Sequence, residues 1–279
     1  MRETNPVKLL SDKTRRLRKE TGNPHLRSKL DTGLTPRNAL LMSLIRPMKM
    51  LIFSPIILAL SIFVAVIYAY LYILFTTFAV VFQGQYGFST GTVGLTYLGL
   101  GIGLIVGMAL FGSVSDRLVK KLANGGEMKP EYRLLPMIYG GFFVPVGLFW
   151  YGWSAKAHAY YIVPIIGTSF IGIGLIGTIV SRSEHPGQHS TNISLWQMPA
   201  NTYIVDAFEK YAASGLAANS VLRSVFAAVI PLFGRKLYEA LGLGWGNSLL
   251  GFIALALCPI SWVFYRYGEL IRTRYPLTL

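Results

Sequence analysis

The feature that most constrains this chain is the absence of charge over long stretches. Between Leu51 and Ser115 there is no aspartate, glutamate, lysine or arginine. A bilayer core about 30 Å thick is crossed by a helix of about 20 apolar residues. The first stretch is therefore long enough for two membrane spans and a turn. Three further charge-free stretches are each long enough for one span: Leu134–Ala155, Ala157–Ser181 and Ala240–Tyr265.

Composition favours a membrane protein over a soluble helical one. The chain is 53% hydrophobic and 14% charged, whereas a soluble domain carries roughly a quarter of charged residues. Helices of soluble proteins show a polar face at the 3.6-residue period, but these stretches are apolar on all sides. They also lack the polar–apolar alternation of membrane barrels. The sequence therefore predicts an all-α, polytopic membrane bundle of about six helices.

The apolar stretches divide the chain into a basic segment (1–50), a six-helix bundle (51–268) with a polar insertion at 180–197, and a short tail (269–279). One helix is expected near Val7–Glu20 in the basic segment. The predicted spans are Ile52–Phe82, Thr92–Ser113, Leu134–Trp153, Tyr160–Ile179, Ser214–Gly234 and Gly246–Tyr267.

Basic residues are divided unequally between alternate connections. The amino-terminal segment, the loop after the second span, the loop after the fourth and the tail carry 21 lysines and arginines when Arg182 in the polar insertion is set aside, against three on the other side. Cytoplasmic loops are enriched in lysine and arginine. Both termini are therefore expected in the cytoplasm, which agrees with an even number of spans.

The same reasoning limits the other functions. The net charge of +14 is explained by the lipid bilayer as partner, and nucleic acid is not expected. The spans contain no acidic pair, histidine cluster or nucleophile–base arrangement, so neither an enzyme nor a cofactor is predicted. His185 and His189 have the spacing of a helical metal pair, but Pro186 lies between them, and no metal site is expected.

A motif at the end of the second span resembles a loop of the major facilitator superfamily, Gly-x-x-x-Asp-Arg-x-x-x-Arg/Lys. Here it is predicted to open a cytoplasmic loop, where its charges can latch neighbouring helices together. Asp206 is predicted to add a further latch or helix-end charge. The motif residues are Gly112, Asp116, Arg117, Lys120 and Lys121.

Further stretches resemble the fungal drug:proton antiporter branch of that superfamily. They include KTRRLRKETGN (13–23), GLTYLGLGIG (94–103), KPEYRL (129–134), YIVDAF (203–208) and LGLGWGNSLLGFI (241–253). The resemblance implies the carboxy-terminal half of such a transporter, with a missing amino-terminal six-helix half as partner. It implies outward transport of small apolar or cationic compounds in exchange for protons, by alternating access. The plasma membrane is favoured over the vacuolar one. The alternative is a truncated membrane fragment without transport activity.

Five residues are candidates for a substrate cavity. Tyr68, Tyr72 and Phe75 share one face of the first span, where aromatic rings can contact flat or cationic compounds, although lipid-facing aromatics are common. Asn219 and Arg223 share a face of the fifth span. Because charge inside a bilayer is costly, Arg223 is expected to face the bundle interior or water; the alternative is that it lies nearer the cytoplasm and pairs with Asp206.

The polar insertion interrupts what in the resembling family is one continuous helix. Its eighteen residues (180–197) correspond to an in-frame segment with the length of a fungal intron, and its codons can encode splice signals. The segment is therefore either a translated intron or a genuine cytoplasmic loop.

Sequencing the transcript across codons 179–198 distinguishes these possibilities. If the segment is an intron, a fraction of the messenger RNA is expected to join Ile179 directly to Met198. Uniform retention in mature messenger RNA would contradict the intron hypothesis.

Overall fold

The computed structural model describes residues 6–23, 25–28, 36–123, 130–179, 181–182, 196–197, 199–208 and 211–274. The all-α prediction is confirmed, because strands in this part of the chain amount to one pair of two residues each. A 3₁₀-helix spans Pro130–Leu134. The helices are α1 (Pro6–Thr21), α2 (Pro36–Phe53), α3 (Pro55–Tyr86), α4 (Thr90–Ala123), α5 (Leu135–Lys156), α6 (Ile162–Ile179), α7 (Pro199–Ala207) and α8 (Ala212–Arg274).

The chain forms two compact units, Met1–Arg46 and Pro47–Leu279. The first contains α1, in agreement with the helix expected near Val7–Glu20, and the start of α2. The sequence did not predict α2, which continues past the expected boundary at residue 50. The amino-terminal segment is therefore more helical than its polar composition indicated.

The second unit begins its first long helix at a defined cap. The Ser54 hydroxyl accepts a hydrogen bond from the Ile57 amide at 3.4 Å, and proline occupies the first helical position, where its missing N–H costs no hydrogen bond. α3 thus starts at Pro55 instead of the predicted Ile52. α3 ends at Tyr86. The C-cap residue Gly87 has a left-handed backbone conformation (φ 67°), which glycine adopts more easily than other residues.

α8 is a helical hairpin. A straight helix of 63 residues would extend about 95 Å, yet Gly215 lies against Ile204 and Gly268 against Tyr203. The chain reverses at Gly242 (φ 71°, ψ 171°), a backbone conformation available to glycine and strained for other residues. We call residues 212–241 the first arm and 243–274 the second arm.

Several predicted boundaries were wrong in the same direction, because the helices continue past the apolar stretches. α4 extends to Ala123, so the backbone of the latch motif lies on a helix and does not open a loop. The first arm likewise includes Arg235, which pairs with Glu239 one turn later (2.9 Å). Backbone hydrogen bonding favours adding turns to an existing helix, and charges at its ends do not stop it.

Four of the described helices are long and apolar enough to cross a membrane. By length and composition, α3, α5 and the segments Thr90–Phe111 and Ala212–Ile271 qualify, and Ile162–Thr178 is a shorter apolar helix. Since the α8 segment folds back at Gly242, these helices supply six apolar segments in the order predicted. The protein is an integral membrane protein.

Glycines set the packing around α6. α6 lies against both α4 and α5, and small residues allow such close approach in lipid. A methyl group at Gly103 of α4 would overlap the Ser169 carbonyl oxygen, and one at Gly140 of α5 would lie 2.6 Å from the Gly177 Cα. The Ser169 hydroxyl donates to the Gly99 carbonyl at 2.7 Å.

α3, α5 and α8 form the rest of the bundle around buried aromatic side chains. Tyr151 and Phe78 are fully buried and their ring centroids lie 5.4 Å apart. The Tyr70 hydroxyl donates to the Leu250 carbonyl at 2.9 Å, which joins α3 to the second arm of α8. α5 and α8 are joined by a hydrogen bond from the Trp153 indole to the Ser248 hydroxyl at 3.0 Å.

The polar insertion begins and ends at paired strands. Ser181 pairs with Gln197 and Arg182 with Trp196, in antiparallel register. This pairing places the end of α6 beside the start of α7. His185 and His189 lie outside the described residues, and the intron hypothesis stays a prediction.

The glycine contacts predict unequal effects of one substitution. Gly103→Ala should lower the thermal stability of the purified protein by roughly 1–3 kcal/mol, because two helix backbones must separate. Gly101→Ala on the same helix is the matched control, since nothing lies within 4 Å of the added methyl group. It should leave stability unchanged or slightly higher. Equal melting temperatures for the two variants in detergent would contradict this account of the packing.

Candidate functional site: a groove between α3 and the first arm of α8

The candidate site lies between two helices that run in the same direction. Tyr68 of α3 contacts Arg223 of α8, and further along both helices Ile73 contacts Gly234. Residue numbers therefore increase together on the two sides. The groove between these helices contains two cavities, one after the other.

The smaller cavity has a volume of about 420 Å³. Two tyrosines of α3 line one side, and a short run of polar and small residues of α8 lines the other. The lining residues are Tyr68, Tyr72, Arg223, Ser224, Ala227 and Ala228. The sequence predicted three of these six as cavity residues, and the structure brings those three together from helices more than 150 residues apart in the chain.

Arg223 contacts an aromatic face. Its guanidinium carbon lies 4.7 Å from the centroid of the Tyr68 ring, which is within the range of a cation–π interaction. Both side chains are half-buried, so the charge lies at the wall of the cavity. The structure thus places Arg223 beside Tyr68 at this cavity, and both positions that the sequence left open for it stay predictions.

The other two predicted cavity residues lie elsewhere. Asn219 is buried and donates from its amide nitrogen to the Asn201 side-chain oxygen at 2.6 Å, so it connects α8 to α7. Phe75 packs edge-on against Tyr72, with centroids 6.2 Å apart, and against Tyr97 of α4. Helical spacing placed both residues near the correct face, but Asn219 is buried against α7, and Phe75, although 42% exposed, packs toward α4 and does not line the smaller cavity.

The predicted latch is only partly within the described structure. The backbone of the latch motif belongs to α4, whereas its side chains lie outside the described structure. The motif residues are Gly112, Asp116, Arg117, Lys120 and Lys121. Asp206 is half-buried near the end of α7. The latch therefore stays a prediction.

The sequence missed the larger cavity, which has a volume of about 760 Å³. It continues the groove toward the carboxyl ends of α3 and the first arm, and it also reaches the turn after α5. Its polar lining residues come from three parts of the chain and gave no common signal: Thr76, Thr77, Gln85, Lys156, His158, Arg235, Tyr238 and Glu239. Lys156 and Arg235 were counted only as loop charges, and the other six were given no role.

A buried carboxylate was also missed. Glu131, in the 3₁₀-helix, is 4% exposed, and neither of its carboxylate oxygens has a hydrogen-bond partner within the described part of the chain. It lies against Gly268 of the second arm, where an added methyl group would be 3.1 Å from the Glu131 Cγ and 3.1 Å from the Tyr203 hydroxyl. The stretch KPEYRL contains three charged residues, and such a polar stretch gives no sign of burial.

Comparison with known proteins identifies the family. The family model of the Major Facilitator Superfamily matches residues 7–198. The chain belongs to the major facilitator superfamily. This assignment agrees with the resemblance seen in the latch motif and in the further stretches of the sequence.

Curated members of the superfamily match nearly the whole chain. The MFS-type transporter atr4 of Stereocaulon alpinum is 57% identical over 98% of this chain and 46% of its own length. The MFS-type transporter penM of Penicillium rubens is 55% identical over 98% of this chain and 50% of its length. The efflux pump radE of Floropilus chiversii is 47% identical over 98% and 48%. The chain thus spans about half the length of these superfamily members.

The contact between Tyr68 and Arg223 can be tested by a double-mutant cycle. Tyr68→Leu and Arg223→Met should each lower the melting temperature, and the double variant should lose less than the sum of the two losses. The corresponding interaction free energy between the two side chains should be roughly 0.5–2 kcal/mol. Tyr68→Phe retains the ring face and should preserve most of this coupling. Strict additivity of the Leu and Met substitutions would show that the contact contributes nothing.

Proposed function

We propose that this chain supplies one half of an exporter that moves small apolar or cationic compounds across the membrane in exchange for protons. Transport across a membrane is the activity named for its relatives, as transporters and as an efflux pump. The observation that carries the proposal is the groove between α3 and the first arm of α8.

The groove has the properties of one wall of a translocation path. It follows two parallel helices, and its two cavities succeed one another along them. Tyr72, which is 44% exposed, lines the smaller cavity, while Thr76, Gln85 and Tyr238 add hydrogen-bonding groups to the larger one. Apolar walls with a few placed polar groups are typical of small-molecule sites.

Of the two substrate classes, apolar compounds fit the described wall better. One face of the Tyr68 ring is already covered by the Arg223 guanidinium, so that face cannot stack on a second cation. Tyr72 remains accessible to a flat apolar compound. Glu239, a carboxylate that lines the larger cavity, is already paired with Arg235, so cationic compounds would require acceptor groups contributed by another part of the transporter.

The second wall would come from an amino-terminal six-helix half. Superfamily transporters bind substrate between two halves near the bilayer midplane, and this chain spans about half the length of its relatives. With both termini in the cytoplasm of a plasma-membrane protein, rocking of one half against the other would expose the groove to each side in turn. A membrane fragment without transport is the competing proposal, favoured by the same half-length coverage.

The chain should transport only when it is joined to a second half. We expect no export when it is expressed alone, and export when it is fused behind the amino-terminal half of the 55%-identical relative. The measurement is the uptake of Nile red and of rhodamine 6G into everted vesicles with an acidic interior. The neutral dye should be moved faster than the cationic one, and a protonophore should abolish uptake of both.

Variants at the groove then separate the possibilities. Arg223→Met should reduce the transport rate several-fold, whereas Arg266→Met, the same change on the second arm, should not. A fusion that reaches the membrane but moves neither dye would favour the inert fragment. Transport that is insensitive to the protonophore would contradict proton coupling.

A further inference from the structure

The amino-terminal helix α1 has an amphipathic pattern that transport does not explain. Leu10, Thr14, Leu17 and Thr21 recur at spacings of three and four residues and so share one face. Leu10 and Leu17 are 37% and 38% exposed, Thr21 is exposed and Thr14 is half-buried, so part of this face is accessible. The helix also carries six lysines and arginines against two acidic residues, a net charge of +4.

The two threonines do not interrupt the apolar face. The Thr14 hydroxyl donates to the Leu10 carbonyl at 2.7 Å, and the Thr21 hydroxyl donates to the Leu17 carbonyl at the same distance. Both hydroxyls are therefore satisfied inside the helix, and burying this face in an apolar medium leaves no hydroxyl donor without a partner.

The charges lie on the remaining faces. Arg15, Arg16 and Lys19 lie on the side opposite the apolar face, with Lys13 and Arg18 on its flanks. Long basic side chains can keep their charge in water while their methylene stems cover an apolar surface. A helix with this distribution fits an interface between water and hydrocarbon that carries negative charge.

The chain holds α1 near such an interface by connectivity alone. Thr21 precedes Pro55, the first residue of the membrane-spanning helix α3, by 34 positions, of which 18 belong to helix α2. α2 carries its own exposed apolar strip: Leu41, Leu44, Ile45 and Met48 are between 44% and 63% exposed. Tethering of this kind keeps a weakly binding segment at high local concentration.

We propose that α1 is an interfacial helix that binds the anionic lipid surface of the bilayer in which the bundle is embedded. Its apolar face enters the boundary between headgroups and acyl chains, and its basic side chains contact lipid phosphate and carboxylate groups. The proposal does not depend on transport activity. It requires only that the bundle is in a membrane, and it predicts that attachment is lost at high salt.

The test uses the whole chain in vesicles and a spin label at single positions. Cys258 is the only cysteine, so a Cys258→Ser background allows one label at Leu17→Cys and, as the matched control, one at Asp12→Cys on the opposite face. In vesicles with 30% phosphatidylserine, the ratio of oxygen to nickel-chelate accessibility at position 17 should rise at least about twofold over pure phosphatidylcholine. Position 12 should stay accessible to water in both.

Charge variants give the second measurement. Replacing Arg15, Arg16 and Arg18 together by glutamine should remove the increase at position 17, and replacing them by lysine should preserve it. Melting of the bundle checks that each variant is folded. The proposal is overturned if position 17 stays water-accessible in anionic vesicles, if the glutamine variant retains the increase, or if only an acidic protein such as a calcium sensor protects the label.

Discussion

α6 can lie between α4 and α5 only because glycine backbones face one another across both contacts. At Gly103 and Gly140 even a methyl group would overlap the neighbouring backbone. Helices in lipid gain nothing from excluding water, so they associate through close packing and through bonds such as that from Ser169 to Gly99. α4 makes few other contacts in the bundle, and its position therefore depends on this glycine face.

α3 and the first arm of α8 pack differently from the helices around α6, and this difference creates the groove. α3 and the first arm of α8 approach through larger side chains, with Ile73 against Gly234 and the Arg223 guanidinium over Tyr68. Space remains between these two helices as two cavities, one of about 420 Å³ beside Arg223 and one of about 760 Å³ further along. The glycine contacts around α6 bring helix backbones together, whereas the groove beside α3 leaves room for a small compound.

The candidate site was only partly predictable. Helical spacing placed Tyr68, Tyr72 and Arg223 on the correct faces, because residues three or four apart share a face. The same rule also selected Asn219, which is buried against α7, and Phe75, which packs toward Tyr97 of α4 instead of lining the cavity. The larger cavity combines residues of α3, α8 and the turn after α5, and the spacing within any one helix contains no information about which helix lies beside it.

The sequence by itself determined that the chain is a membrane bundle of helices, because lipid offers no partner to backbone N–H and C=O groups and apolar stretches of this length can only be helical. It also indicated the superfamily through its motifs. Only the tertiary structure decided which glycines pack, distinguishing Gly103 from Gly101, where Gly242 reverses α8, and which side chains share a cavity. Those properties depend on contacts between helices distant in the chain, whereas local composition and periodicity determine only the helices themselves.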